Sequence, residues 1–356
     1  MTLLGSCCRC AGALAVVPLA VILAVMFETP TVTMLRTGGS SPREDASDAA
    51  PLDPRLREPT SLDATEEAKD GPAAPRMGSG NMFDRIAFAY DAANKWMSFG
   101  LDQHWRTTMV KDCLQLRPDD RVLDLATGTA DVSILVGQEL RRLGASVRDA
   151  VLGVDPSNEM LRRGVAKVQQ NGLEHVVRLV KGDAQDLRTV QVIDAEGTLA
   201  EKSPGAREAS VDKISMSFGI RNVPDRAKAL REMRRVLDPS QQSRVCILEL
   251  SLPTGETFLS RLARSFITEV VPLIGWVATM GSGGEEYEYL ERSILRFPKP
   301  LDFARELQAA WLPVERITSA MAGKVGGSDP DIPPFAMLKI RKGTVAVAPG
   351  WLCWGG

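Results

Sequence analysis

Between residues 121 and 250, short apolar runs alternate with segments whose apolar residues recur every three or four positions. Continuous apolar runs bounded by turn residues predict buried strands, and the longer period predicts amphipathic helices. Strands are expected at Val122–Ala126, Ala150–Asp155, Val176–Val180, Asp212–Ser217 and Arg244–Leu250. Helices are expected over Asp131–Leu143, after Pro156-Ser157-Asn158 (Met160, Leu161 and Val165 on one face), and from Pro224. The last carries Ala229, Leu230, Met233, Val236 and Leu237 on one face, and Pro239 stops it. Such alternation gives an α/β fold, a Rossmann-like doubly wound parallel sheet. Arg188–Ser210 is polar, lacks periodicity and predicts an inserted surface loop.

On either side of this block the period is helical. Phe83, Ile86, Ala87, Tyr90, Trp96 and Met97, then Trp105, Met109, Val110 and Cys113, predict an N-terminal helical cap broken at Ser98-Phe99-Gly100. Phe258–Met280 is strongly apolar, but Arg261, Arg264 and Glu269 argue against a bilayer span. An apolar helix pair over a greasy pocket or at a membrane surface fits better. Tyr287–Phe297 predicts another amphipathic helix, and beyond Gly326 the sequence reads as loop. The first 80 residues stand apart. Ala11–Phe27 is uncharged and mostly apolar, at the lower edge of a spanning length, and predicts a targeting segment or an anchor. Thr29–Gly80, rich in Ala, Pro, Ser, Asp and Glu, predicts a disordered linker or transit remainder. It lacks the Arg-rich, acid-poor bias of a mitochondrial presequence. The organisation expected is therefore 1–28 targeting or anchor, 29–80 linker, 81–325 catalytic domain and 326–356 irregular tail.

Composition changes this picture little. The 356 residues are 44% hydrophobic and 25% charged, as in an ordinary globular enzyme. A net charge of −2 argues against a nucleic-acid surface. The six cysteines form no framework: Cys7, Cys8 and Cys10 precede the apolar run, and Cys113, Cys246 and Cys353 are scattered. With only two histidines, no metal is expected.

Chemistry concentrates at Arg121–Asp131, R-V-L-D-L-A-T-G-T-A-D. A strand ending in a small-residue turn before a helix is how an open α/β sheet presents a ligand. The dinucleotide fingerprint G-x-G-x-x-G fails, with Ala130 and Ser133 at its second and third glycines, which disfavours an NAD-dependent oxidoreductase. A turn built on Gly128, preceded by Asp124, suits a ligand that carries a cation and no phosphate, such as S-adenosylmethionine. Asp155, a little under 30 residues beyond Gly128, ends the second strand, where an acid hydrogen-bonds ribose hydroxyls. Asp183-Ala184, after the third strand, is placed to reach an adenine.

These residues lie among longer motifs. F-D-R-I-A-F-A-Y-D-A-A-N-K-W-M-S-F-G, V-L-D-L-A-T-G-T-A-D, S-F-G-I-R-N-V-P-D-R-A-K-A-L-R-E-M-R-R-V-L and Y-E-Y-L-E-R-S-I-L-R-F-P together resemble the UbiE family of ubiquinone/menaquinone C-methyltransferases, over roughly Phe83–Gly326. The resemblance implies S-adenosylmethionine as methyl donor, lined by Thr129, Asp155, Asp183, Ala184 and Ser217. It implies a polyprenylated or phytylated quinol as substrate, methylated on a ring carbon, with Arg221, Asn222 and Tyr90 at the reacting ring. A guanidinium stays protonated, so Arg221 would stabilise a phenolate or order a water that takes the proton. Three departures stand out. The family's G-x-H-R-x-W-K reads G-L-D-Q-H-W-R, with Asp102 and Gln103 for His-Arg, and its G-G-T-G-D turn reads T-G-T-A-D. The closing G-x-V-A-x-H-x-G strand is degraded to A-M-A-G-K-V-G-G, so the last sheet edge is expected to differ.

From the resemblance, ubiquinone biosynthesis at the matrix side of the mitochondrial inner membrane is favoured. The alternatives are demethylmenaquinone or demethylphylloquinone methylation in a plastid, to which the signal-like N-terminus and the T-A-D turn lean, and an idle member serving as scaffold. Partners expected are the lipophilic quinol and peripheral membrane contact, with a homodimer or a quinone-biosynthesis complex open.

Overall fold

The computed structural model describes residues 80–98, 100–194, 196–240, 242–250, 284–319 and 335–341, with Arg261 and Ser265. The N-terminal apolar run, the linker as far as residue 79, nearly all of the apolar segment 258–280 and the last fifteen residues lie outside them. Among the described residues nine strands form one sheet in the order β5-β4-β3-β2-β1-β6-β7-β9-β8. Its parallel centre is β1 (Val122–Leu125), β2 (Val151–Asp155), β3 (Val177–Asp183), β6 (Lys213–Ser217) and β7 (Arg244–Leu250). All five fall where the apolar runs put them. The order runs outward from β1 in both directions, so the switch point lies between β1 and β6, and a ligand crevice is expected outside their carboxyl ends.

Both faces of the parallel centre are buried, which is why its strands read as near-continuous apolar runs. Val245 and Ile247 pack with Leu230, Met233 and Val236 of α5 (Arg226–Val236) and with Phe303 and Leu307 of α7 (Pro300–Ala309). Cys246 and Leu248 point the other way, among Trp105 of α2 (Leu101–Thr108), the π-helical turn Met109–Leu114, α3 (Asp131–Arg142) and Leu161 and Val168 of α4 (Asn158–Gln170). Before these comes α1 (Gly80–Met97), and Gly100, at φ 77°, makes the expected break ahead of α2. Helix α6 (Gly284–Arg296) covers the predicted amphipathic segment.

Two expectations are corrected. Arg188–Ser210 is no loop: β4 (Asp186–Ile193) and β5 (Leu199–Pro204) extend the sheet antiparallel to β3. Register shifts at Lys181/Asp183 and Gln191/Ile193 break the two-residue period, so the buried Leu187, Val190 and Ile193 are three apart. β5 is an exposed edge whose Lys202 and Pro204 discourage further pairing, leaving no apolar pattern to read. Nor is 326–356 wholly irregular. β9 (Phe335–Arg341) lies between β7 and β8 (Val314–Ser319), antiparallel to both, with Leu250 opposite Phe335 and Arg244 opposite Arg341. The sheet therefore extends past residue 325.

Candidate active site

The turn after β1 is built on Asp124. Strand alternation turns its side chain away from Leu123 and Leu125 and towards α3, at 1% exposure. One oxygen accepts from the Thr127 and Ser133 hydroxyls at 2.7 and 2.8 Å, the other from Ser215 at 2.7 Å. Burial pushes this carboxyl above the usual range, and the three hydroxyls oppose the shift. Asp124 thus holds the turn. It is not free to meet a cofactor's cation, which corrects its expected role.

The chain then passes through positive φ at Ala126 (51°), Gly128 (56°) and Ala130 (68°). Left-handed backbone costs an L-residue about 1–2 kcal/mol. Ala130 is the fully buried N-cap of α3, so its methyl keeps packing contacts that offset part of that cost. Ala130→Gly is expected to raise stability by about 0.5–1 kcal/mol, read as a higher urea midpoint; an unchanged or lowered midpoint would show that packing outweighs the strain. Gly219 has a different reason: a Cβ there would stand 2.5 Å from that of Ala126.

Above the turn, Asp155 ends β2. Its carboxylate accepts from the Gly128 and Ser157 backbone amides, both at 2.8 Å. Burial raises its pKa to about 6 against those two hydrogen bonds. At Gly128 an added Cβ would meet nothing within 4 Å, so the backbone lies open to close approach from above. At the end of β6 the Ser217 hydroxyl is buried without a hydrogen-bond partner. An acid poised for ribose hydroxyls, a bare glycine edge and an unpaired hydroxyl at adjoining strand ends fit S-adenosylmethionine. Asp183 ends β3, exposed, accepting from the Gln185 amide at 2.8 Å, and Ala184 packs against the core.

Helix α1 lies across this edge. Asp84 accepts from the Ser157 hydroxyl at 2.5 Å and the Glu159 amide at 2.9 Å, while Ser157 caps α4. A Cβ on Gly80 would fall 2.6 Å from the Pro156 carbonyl, so the helix begins in backbone contact with the β2–α4 turn. The Thr129 hydroxyl, expected to face the cofactor, donates to Asp91 of α1 at 2.7 Å and accepts from Lys167 of α4 at 3.0 Å. It therefore ties the turn to the cap. Lys167 also pairs with Asp131, which lies 3.6 Å from Arg106. Asp102, at the family's histidine position, forms a buried pair with Arg106, whose guanidinium sits 5.5 Å from the Phe218 ring centre.

The charge of Arg221 reaches Tyr90 here, and Asn222 follows Arg221 in the chain. Tyr90 meets Phe83 edge-on and hydrogen-bonds Asn94. Burial drives its hydroxyl above the ordinary phenol range, against the Asn94 bond and the nearby charges of Arg221 and Arg106. Arg221 and Asn222 form the short 3₁₀ turn Ile220–Asn222 after β6. Sequence reasoning missed Glu249, the buried partner of Arg221, along with Asp84 and Lys167. An acid inside R-V-C-I-L-E-L was the available signal, because a buried charge requires a partner. Among the described residues no cluster of His, Cys, Asp and Glu could hold a metal.

The model of the ubiE/COQ5 methyltransferase family matches residues 76–326. A ubiquinone/menaquinone biosynthesis C-methyltransferase UbiE from Geotalea daltonii is 36% identical over 222 residues, 62% of this chain and 82% of that protein. A demethylmenaquinone methyltransferase from Thermotoga maritima is 34% identical over 219 residues, 62% of this chain and 81% of the other. The UbiE of Idiomarina loihiensis is 34% identical over 230 residues, 65% and 80% respectively. With the strand order, the turn and the Asp155 end of β2 already in place, the chain belongs to the ubiE/COQ5 methyltransferase family and is an S-adenosylmethionine-dependent methyltransferase.

Proposed function

We propose that the chain methylates a ring carbon of a lipid-tailed quinol in quinone biosynthesis, a polyprenylated benzoquinol of the ubiquinone route being the favoured substrate. The observation that carries this is the reach of the Arg221 charge to the buried Tyr90 hydroxyl, near the strand ends that present Asp155 and Ser217. S-adenosylmethionine, when bound, supplies an electrophilic methyl on a cationic sulfur. The chain must then raise electron density on a ring carbon and hold that carbon in line. Arg221 keeps its charge and so stabilises a hydroxyl oxygen that is losing its proton. Tyr90, a neutral donor at any physiological pH, and Asn222 orient the ring's oxygens. A cap that closes over the bound ring would exclude water and strengthen each of these interactions.

A tailed substrate calls for a membrane surface. Leu295 of α6, Leu301 of α7 and Trp311 in the following turn are exposed at 46, 58 and 63%, which supports peripheral contact. Among the described residues no helix is long and apolar enough to cross a membrane. The mitochondrial inner membrane follows from the ubiquinone reading, and a plastid from the menaquinone or phylloquinone alternative.

Anaerobic assays of the full chain, with a polyprenyl methoxybenzoquinol, a demethylmenaquinol and a demethylphylloquinol each carried in liposomes, test this by product mass and vesicle co-sedimentation. Methylation of the benzoquinol is expected, and Arg221→Ala should lower kcat about 10²–10³-fold with donor binding intact. Donor binding without methylation of any quinol would point to the scaffold alternative. Failure to sediment with the vesicles would overturn the membrane contact.

A further inference from the structure

Glu249 is an acid where its strand alone has no use for one. It lies near the carboxyl end of β7, 1% exposed, in a run that is otherwise apolar from Val245 to Leu250. Desolvating a carboxylate costs several kcal/mol unless its bonds repay it. Two of its three bonds come from one residue. Oε2 accepts from the Arg221 backbone amide at 3.2 Å. Oε1 accepts from Arg221 Nη1, and from the Leu250 amide at 2.8 Å. Arg221 is thus gripped through main chain and side chain by the same carboxylate.

The grip has a direction. Nη1 donates a second bond to the Phe218 carbonyl at 3.1 Å, so both of its hydrogens are used. A guanidinium holds its five donors in one plane, and fixing Nη1 by two acceptors fixes where Nε–H and Nη2–H point. Nε is buried with no hydrogen-bond partner. Phe218, whose carbonyl completes the grip, stands at positive φ (57°), and its backbone amide is anchored on Leu248 O at 2.7 Å. The loop after β6 is therefore shaped to present this arginine, with Tyr90 within reach of its charge.

We propose that Glu249 is the positioning residue of the methyl-transfer site: it orients Arg221 so that the remaining donors face the substrate oxygen, and it contributes to turnover only through Arg221. This rests on the reading that Arg221 meets that oxygen. A mere brace between the β6 loop and β7 would affect stability and leave the rate of the bound complex alone.

The test is a double-mutant cycle in the full chain, using the quinol that the assay above identifies, with donor binding measured beside it. Glu249→Gln keeps the shape and loses the charge. It is expected to lower kcat about 10–100-fold with quinol KM and donor Kd within about twofold, and Glu249→Asp should recover part of the loss. Arg221→Ala/Glu249→Gln should be no slower than Arg221→Ala alone. The proposal fails if Glu249→Gln keeps its kcat, or if it slows the Arg221→Ala enzyme by its own full factor. If Glu249→Gln does not fold, as shown by absent donor binding, Glu249→Asp goes through the same cycle with the same criteria. Full activity in Arg221→Ala would overturn the reading of Arg221 itself, a result distinct from a failed cycle.

Discussion

Asp155→Ala is expected to weaken S-adenosylmethionine binding by about 10²–10⁴-fold, because two charge-assisted hydrogen bonds to a ribose would each be worth about 1.5–3 kcal/mol. The wild-type protein should show the same residue through pH. Burial holds the Asp155 pKa near 6 in the folded chain, raised from 3.8. A raised acid favours the folded state in its neutral form. Its contribution is fully present below the unfolded value and is lost as pH rises through about 6, a swing of about 3 kcal/mol. Donor binding runs the opposite way, since the ribose hydroxyls need the carboxylate. Affinity should rise about tenfold per pH unit up to about 6 and level off above it. Calorimetry near pH 5.5, in buffers of differing ionisation enthalpy, should register a proton released on binding. A flat affinity between pH 5 and 7, with no buffer dependence, would remove Asp155 from the cofactor site.

The parts of this site that sequence shows are those tied to backbone shape. Gly128 marks the turn because a tight, positive-φ corner favours glycine, and Asp155 marks the end of β2 because an acid interrupts an apolar run. What sequence does not show is which way a side chain turns. Asp124 and Thr129 sit in the motif, yet one faces α3 and the other faces the cap, so each serves the turn's own bonds. The partners of that cap were hidden for a related reason. Asp91 and Lys167 are 76 positions apart, ordinary helix-surface charges until the fold brings them together at 3.2 Å. The two edge regions failed differently. β4 and β5 carry bulged or exposed patterns, and β9 follows a Gly-, Asp- and Pro-rich stretch that reads as loop, so tertiary pairing decides them where periodicity does not.

The largest stability effect is expected from two cysteines that looked unconnected. Cys113, in the π-helical turn, and Cys246, on β7, form a disulfide across 133 positions of sequence. Only the folding of the cap onto the sheet brings them together, so their spacing could not announce the pair. The bond joins the cap, which carries Asp102 and Arg106, to β7, three residues before Glu249. Closing so long a loop restricts the unfolded chain, and a chain-entropy account gives about 3–5 kcal/mol. That is a large share of the 5–15 kcal/mol typical of a whole domain. Cys113→Ala/Cys246→Ala should lose about that much in urea unfolding, with a further cost for the space left beside Leu248 and Trp105. Reductant should destabilise the wild type and leave the double variant unchanged, and it should act slowly, because both sulfurs are buried and only an opened chain exposes them. Alkylation of both thiols in unfolded, unreduced protein, with no effect of reductant on the wild-type midpoint, would show a packed pair of free thiols in place of the bond.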